Sequence, residues 1–183
     1  MTRRRPVAIV AVVLSVGLVL SAVGSCDGPG HRQDQGEPRC AARPFLAPYS
    51  TVDPCAPEVV LTSAAEVIFS YRPDRQPDSG EAFLAAAPLI APDYLNRIGV
   101  SAAALASTTA STWARWSALH IAVTATSHVT ADDHPADTSN RVSRVIAVTQ
   151  RPGDEPPHVL TVYMQATRDN VNLPWLVTGL EVK

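Results

Sequence analysis

Residues 6–25 constrain this chain more than any other stretch. Behind Arg3, Arg4 and Arg5, the run from Pro6 to Ser25 carries no charged side chain and consists mostly of Val, Ala, Leu and Ile. A helix of about 20 residues, rising ~1.5 Å per residue, matches the ~30 Å hydrocarbon core of a bilayer. The arginines belong on the cytoplasmic side, so the chain beyond residue 26 is expected on the far side. A positive start, an apolar run and a small-residue ending are equally the layout of a secretory signal.

The run is therefore either a cleaved signal or a permanent anchor. Its ending, Val23-Gly24-Ser25-Cys26, resembles the bacterial lipobox, in which small residues precede a cysteine that is acylated and becomes the mature N-terminus. The resemblance implies lipidation at Cys26, where each buried CH₂ of an acyl chain contributes ~0.8 kcal/mol to anchoring. The other reading is a single-pass helix over residues 6–25 with an incidental cysteine. Cysteine counting bears on the choice. The three cysteines are Cys26, Cys40 and Cys55, an odd number for an exported protein. Acylating Cys26 leaves an even pair. A Cys40–Cys55 disulfide, in an oxidising compartment, closes a loop of about 15 residues, worth ~3 kcal/mol by chain entropy. The alternative is two free thiols in a loose segment.

Composition excludes one class of partner. Three of the 15 Lys+Arg lie in the export segment and all 17 Asp+Glu lie after it, which leaves 12 against 17, a formal charge of −5. Nucleic-acid binding needs a basic surface, and this is a mildly acidic one. A single lysine, Lys183, stands against fourteen arginines. With abundant Ala, Val, Thr and Pro, this points to a high-GC bacterial genome.

Three segments follow: 1–25 as signal peptide or anchor, 26–57 as a Pro/Gly-rich tether, and 58–183 as one folded domain. The tether holds Gly28, Pro29, Gly30, Gly36 and prolines recurring to Pro57, a composition that cannot fold by itself. A helix is expected over 58–71, with Pro57 and Glu58 at its start and Val60, Ala64, Val67, Ile68 and Tyr71 on one stripe. Asp78 and Glu81 have capping-box spacing ahead of a short helix that Pro88 breaks. A third helix runs from Pro92 to Gly99, and residues 101–112 have moderate helix potential. From Ala118 the period changes to two, predicting strands over 118–130, 141–150, 158–168 and 173–182. The short connections imply an antiparallel meander, and helices followed by strands make an α+β domain.

Few constellations carry chemistry. Trp113 and Trp116, at helical i, i+3 spacing, are either core anchors between helix and sheet or, with Tyr94, a patch for a ligand or partner. His120 and His128 share a strand face but sit ~27 Å apart at ~3.4 Å per residue, too far to share an ion. Asp132, Asp133, His134 and Asp137 cluster in one loop but lack the glycine and terminal glutamate of a calcium loop. No nucleophile elbow, zinc-protease motif, phosphate loop or dinucleotide glycine pattern is present. The expectation is a domain with no catalytic residues, no metal and no cofactor.

The helix-then-strand order resembles the cone-shaped fold of the nuclear-transport-factor-like and cystatin-like superfamily, in which helices pack on a curved four-stranded antiparallel sheet. Trp113, Trp116, Asp137-Thr138, Arg144 and Pro174-Trp175-Leu176-Val177 carry a further resemblance over residues 58–183. In these the chain is similar to small actinobacterial exported proteins: Mce-associated proteins and accessory single-anchor components of conjugative and type IV secretion machinery. Its lipobox-like ending departs from the uncleaved anchor usual in such components. The resemblance implies a scaffold on the extracytoplasmic side of the cell membrane that docks other envelope proteins. The alternative is a cone whose open end accepts a small apolar ligand. Some enzymes of this fold use a buried carboxylate and a tyrosine, for which Asp93 with Tyr94 or Tyr71 would be the available residue types.

Overall fold

The computed structural model describes residues 40–106 and 108–183. The apolar run 6–25, Cys26 and the first half of the tether lie outside the described residues.

The first helix, α1 (Pro57–Ile68), starts on Pro57 with Glu58 in its first turn. It buries Val60, Leu61, Ala64, Ala65 and Ile68. It ends three residues earlier than the apolar spacing predicts because the chain turns extended to pair with the sheet. Tyr71 N–H donates to Val123 O at 2.8 Å, and Val123 N–H returns a bond to Tyr71 O at 2.9 Å. Three further helices follow: α2 (Gly80–Ala85), α3 (Pro92–Ile98) and α4 (Ala110–Ala118), with 3₁₀ turns at Ala87–Leu89 and Gly99–Leu105. The capping box predicted from Asp78 and Glu81 does not form. Ser79 occupies the N-cap position without a side-chain cap, while Asp78 Oδ1 accepts from the Gly80 N–H at 2.8 Å. Thr109 does cap α4, accepting from Thr112 N–H.

Four strands complete the chain: β1 (Val123–Val129), β2 (Arg141–Pro152), β3 (His158–Thr167) and β4 (Leu176–Val182). They form one antiparallel sheet in the order β1-β2-β3-β4, the meander that the short connections imply. Partners such as Ile146↔Val162 and Arg144↔Met164 share a face, and a bulge at Gln165/Ala166 shifts the register toward β4. The first strand begins five residues later than the alternation suggests. Residues 110–118 are helical, and His120 then takes a left-handed conformation (φ 52°) that turns the chain into β1. Leu119, which a strand from residue 118 would put on the same face as Ile121 and buried Val123, is 61% exposed.

One sheet face packs on the helices, and α1 touches all four strands. The main core joins Leu61 and Phe69 to Phe83, Ile146, Val162, Met164 and Val177. A smaller cluster holds Tyr71, Ala82, Trp116 and Val123, with Trp113 and Ile121 against it. Residues 40–56, read from composition as part of the tether, belong to this packed body. Tyr49 and Val52 are buried in the main core, and Trp175 N–H donates to Pro54 O at 3.0 Å. The Cys40–Cys55 disulfide is formed, with Cα atoms 5.7 Å apart. Cross-linking lets a proline-rich loop without apolar periodicity hold two core side chains in place.

Both sheet edges are closed in part by the rest of the chain. Along β1, Ala125 N–H donates to Ser70 Oγ at 3.0 Å and Ser127 N–H to Glu66 Oε1 at 3.1 Å, beyond the Tyr71 bridge. Along β4, Ala91 N–H donates to Val177 O, and the Tyr94 hydroxyl to Leu180 O. Among the described residues, no helix is long and apolar enough to cross a membrane.

Candidate functional site

The three aromatic residues singled out by sequence do not converge. Tyr94 lies on α3 in the main core, its ring edge-on to Phe83 at 6.3 Å and its hydroxyl donating to Leu180 O at 3.3 Å. Burial pushes its ionisation above the ordinary tyrosine value. Trp113 and Trp116 lie in the second cluster. Trp116 is 3% exposed, and its indole N–H donates to Glu155 Oε2 at 3.3 Å. Trp113 is half-buried, tilted against Tyr71 at 5.3 Å, and donates to Gln76 O. Each polar handle is thus spent inside the protein.

Two of the surface depressions gather charged and aromatic side chains. One, a groove of about 560 Å³, is lined by Tyr94, His134, Arg144, Tyr163, Met164 and Leu180 among others. Arg144 organises it. An arginine at an inward position of a valine-rich strand must be paired, since an uncompensated buried charge is costly. Its Nε donates to Glu58 Oε1 at 2.6 Å, Nη2 to Asp137 Oδ2 at 2.6 Å, and Nη1 to Asp137 Oδ1 at 2.7 Å and Ser143 O at 2.8 Å. The hydrogen bonds from Arg144 hold the Asp137 carboxyl below the usual carboxylate range, and the same contacts push Arg144 up. Every nitrogen of this guanidinium has an internal partner. The groove therefore offers an apolar floor and a neutralised wall rather than a free cation.

The smaller depression, about 320 Å³, is lined by Arg115, Trp116, Gln150, Glu155 and His158 with three threonines. Arg115 holds Glu155 through both guanidinium nitrogens, and this keeps the Glu155 carboxyl below its ordinary value. Gln150 is buried, donating to Phe69 O at 2.7 Å. The loop bearing Asp132, Asp133, His134 and Asp137 is exposed, and Asp137 is committed to Arg144. Among the described residues, no three His, Cys, Asp or Glu side chains are grouped to hold a metal ion.

Sequence reasoning passed over the partners of Arg144 and the role of Glu155. The first left a signal, the lone charge among Val142, Ile146 and Val148; the second left none, since Glu155 reads as a turn residue. Comparison with protein-family models, curated proteins and solved structures finds no match for this chain.

Proposed function

We propose that this chain is a membrane-tethered extracytoplasmic interaction domain, an accessory component of an envelope secretion or transport assembly of the actinobacterial kind. On this reading residues 1–25 export the chain, Cys26 or the 6–25 helix anchors it, and the helices and sheet form the cone of the nuclear-transport-factor-like and cystatin-like superfamily. One observation supports docking over ligand capture: the space between helices and sheet is filled. Leu61, Phe69, Phe83, Ile146 and Val162 are each essentially inaccessible to solvent. No buried side-chain nitrogen or oxygen among the described residues lacks a partner. The charged and polar side chains buried there are Ser79, Arg144 and Gln150, none a carboxylate. A cone that binds or transforms a small molecule needs an interior cavity with an unspent polar group; recognition by this chain falls to its surface, with the Arg144-walled groove as the leading contact.

The test is site-specific photocrosslinking in a native-type host, with the probe replacing Tyr163 in the groove. The expected result is one discrete envelope-protein adduct that the exposed control position Thr124 does not give. A small molecule retained by the purified domain in native mass spectrometry, with no protein adduct, would overturn the reading in favour of a ligand-binding cone.

A further inference from the structure

We infer that a groove between α3 and the β3–β4 connection binds a peptide segment of a partner protein, through one Asp or Glu carboxylate set among aliphatic side chains. The inference rests on the docking reading above and gives it a partner chemistry. The groove, about 630 Å³, is lined by Arg97, Arg168, Asp93, Asp169, Leu173 and Leu176 among others. Its arginines differ from Arg144 and Arg115. Among the described residues, neither guanidinium has a carboxylate partner. Each is laid instead on a buried aromatic ring. The guanidinium carbon of Arg97 lies 5.4 Å from the centre of the Tyr94 ring, and that of Arg168 4.6 Å from the centre of Trp175. Arg168 is held further by its Nε, which donates to Ser139 O at 2.9 Å. Stacking fixes the plane of a guanidinium and leaves its edge N–H groups to donate.

Charge and surface together choose the occupant. A guanidinium edge held in place suits a carboxylate or a phosphate, taken by parallel hydrogen bonds. Asp93 and Asp169 then decide between these. Two arginines against two aspartates leave the groove with no formal net charge. A polyanion, such as a nucleic acid or a run of phosphates, meets repulsion from the aspartates, whereas a single carboxylate is matched to the arginine edges. The rest of the lining is apolar. Leu173 is 42% exposed and Leu176 half-buried, beside Pro92 and Pro174. A free carboxylate ion would leave that surface in water, while a peptide whose acidic residue has aliphatic neighbours covers it.

The experiment incubates the full chain, in detergent, with an array of short peptides whose central residue is Glu, Gln, Lys or phosphoserine and whose neighbours are Leu, Ala or Glu. Peptides with a central Glu among Leu neighbours are expected to bind about tenfold or more above their Gln counterparts, the factor carried by a charge-assisted hydrogen-bonded pair. Central phosphoserine, or Glu in place of the Leu neighbours, should lower the signal. Arg97→Gln should erase the preference for Glu over Gln, and its thermal midpoint should barely move because Arg97 is exposed. A Glu preference that survives in Arg97→Gln, phosphoserine peptides that bind better than Glu peptides, or no preference at all overturns the inference. If it falls while the Tyr163 probe still gives a discrete adduct, the docking reading stands; without that adduct both fall. Glu-selective binding lost in Arg97→Gln, with no protein adduct at Tyr163, supports this groove and removes the Arg144-walled one as the leading contact.

Discussion

Arg144 and Asp137 meet fork to fork, the two guanidinium nitrogens donating to the two carboxylate oxygens at 2.7 and 2.6 Å. The pair ties the β1–β2 connection to β2, and Nε of the same arginine reaches Glu58 at the start of α1. One side chain thus joins helix, strand and loop. Asp137 and Glu58 are about half exposed while Arg144 is buried, so water screens the pairs and the cost of breaking them falls below that of a fully buried triad. Replacing Arg144 by Met, which keeps the aliphatic stem, should destabilise the domain by roughly 1–3 kcal/mol in urea unfolding. An unchanged midpoint would mean that the fork is a surface ornament.

The same pair fixes a pH dependence. The Asp137 carboxyl is held below its ordinary value, first by the hydrogen bonds from Arg144 and then by its charge. A depressed folded-state pKa means that the folded chain binds the proton less readily than the unfolded one. Its stabilisation is complete above the unfolded carboxylate value of about 4 and fades as pH falls through the lower folded value. The stability gap between the native chain and Asp137→Asn should therefore be largest near neutral pH and close under strong acid. A gap that widens on acidification would contradict this sign.

The β1 edge offers a second test. Its outward N–H groups at residues 123, 125 and 127 are met in turn by the Tyr71 carbonyl, the Ser70 hydroxyl and the Glu66 carboxylate. An edge left open is a template for pairing with another chain. The double variant Glu66→Ala, Ser70→Ala should lose roughly 1–3 kcal/mol and aggregate faster under mild heating, read by light scattering. Unchanged aggregation would show that α1 covers the edge by bulk alone.

These edge and fork contacts also mark how far the sequence could be read. Alternation over Leu160, Val162, Met164 and Ala166, with short turns between runs, was enough to order the four strands as a meander. Cysteine parity pointed to the Cys40–Cys55 bridge. The junction of α4 and β1 was not legible, because Leu119 and Ile121 continue the period-two pattern backwards to the very end of α4. No glycine announces the left-handed turn at His120. Contacts such as Arg144 with Glu58 join residues 86 apart, and no local pattern encodes a partner at that distance.

The tryptophans separate core from patch. Trp116 packs with Tyr71, Ala82 and Val123 and is all but inaccessible. Trp116→Ala should cost about 3–5 kcal/mol, and Trp113→Ala less because its ring is half-buried. Thermal midpoints that barely move in both variants would return these residues to the list of binding side chains.

Tyr71 gives an alkaline counterpart. Burial raises its ionisation to about 12, against a smaller lowering by Gln150. A raised folded pKa keeps the stabilisation intact below the unfolded value near 10 and removes it as pH climbs towards the folded one, a loss on the order of 3 kcal/mol. Unfolding in this window should be weaker in Tyr71→Phe, measured by circular dichroism alongside tyrosinate absorbance. Equal alkaline sensitivity in both proteins would assign the effect to other groups.

The boundary of the folded unit carries the last prediction. By composition the domain would begin at residue 58 and need nothing before it. The packing says otherwise: Tyr49 and Val52 sit in the main core, Tyr49 donates to Ala85 O, and Pro54 O accepts the backbone N–H of buried Trp175. Removing the loop takes Tyr49 and Val52 out of the main core and leaves the Trp175 amide without its partner. Two buried side chains of this kind contribute ~1.5–3 kcal/mol each, before the lost hydrogen bonds are counted. That is a large part of the 5–15 kcal/mol by which domains are ordinarily stable. A chain of residues 58–183 should therefore melt far below one of residues 36–183, or fail to fold. Reduction of the disulfide in the longer chain should give an intermediate result, losing about 3 kcal/mol of chain-entropy constraint while keeping the side chains available to pack. Equal melting of 36–183 and 58–183 would show that the loop merely lies on the core, and that the composition had read the boundary correctly.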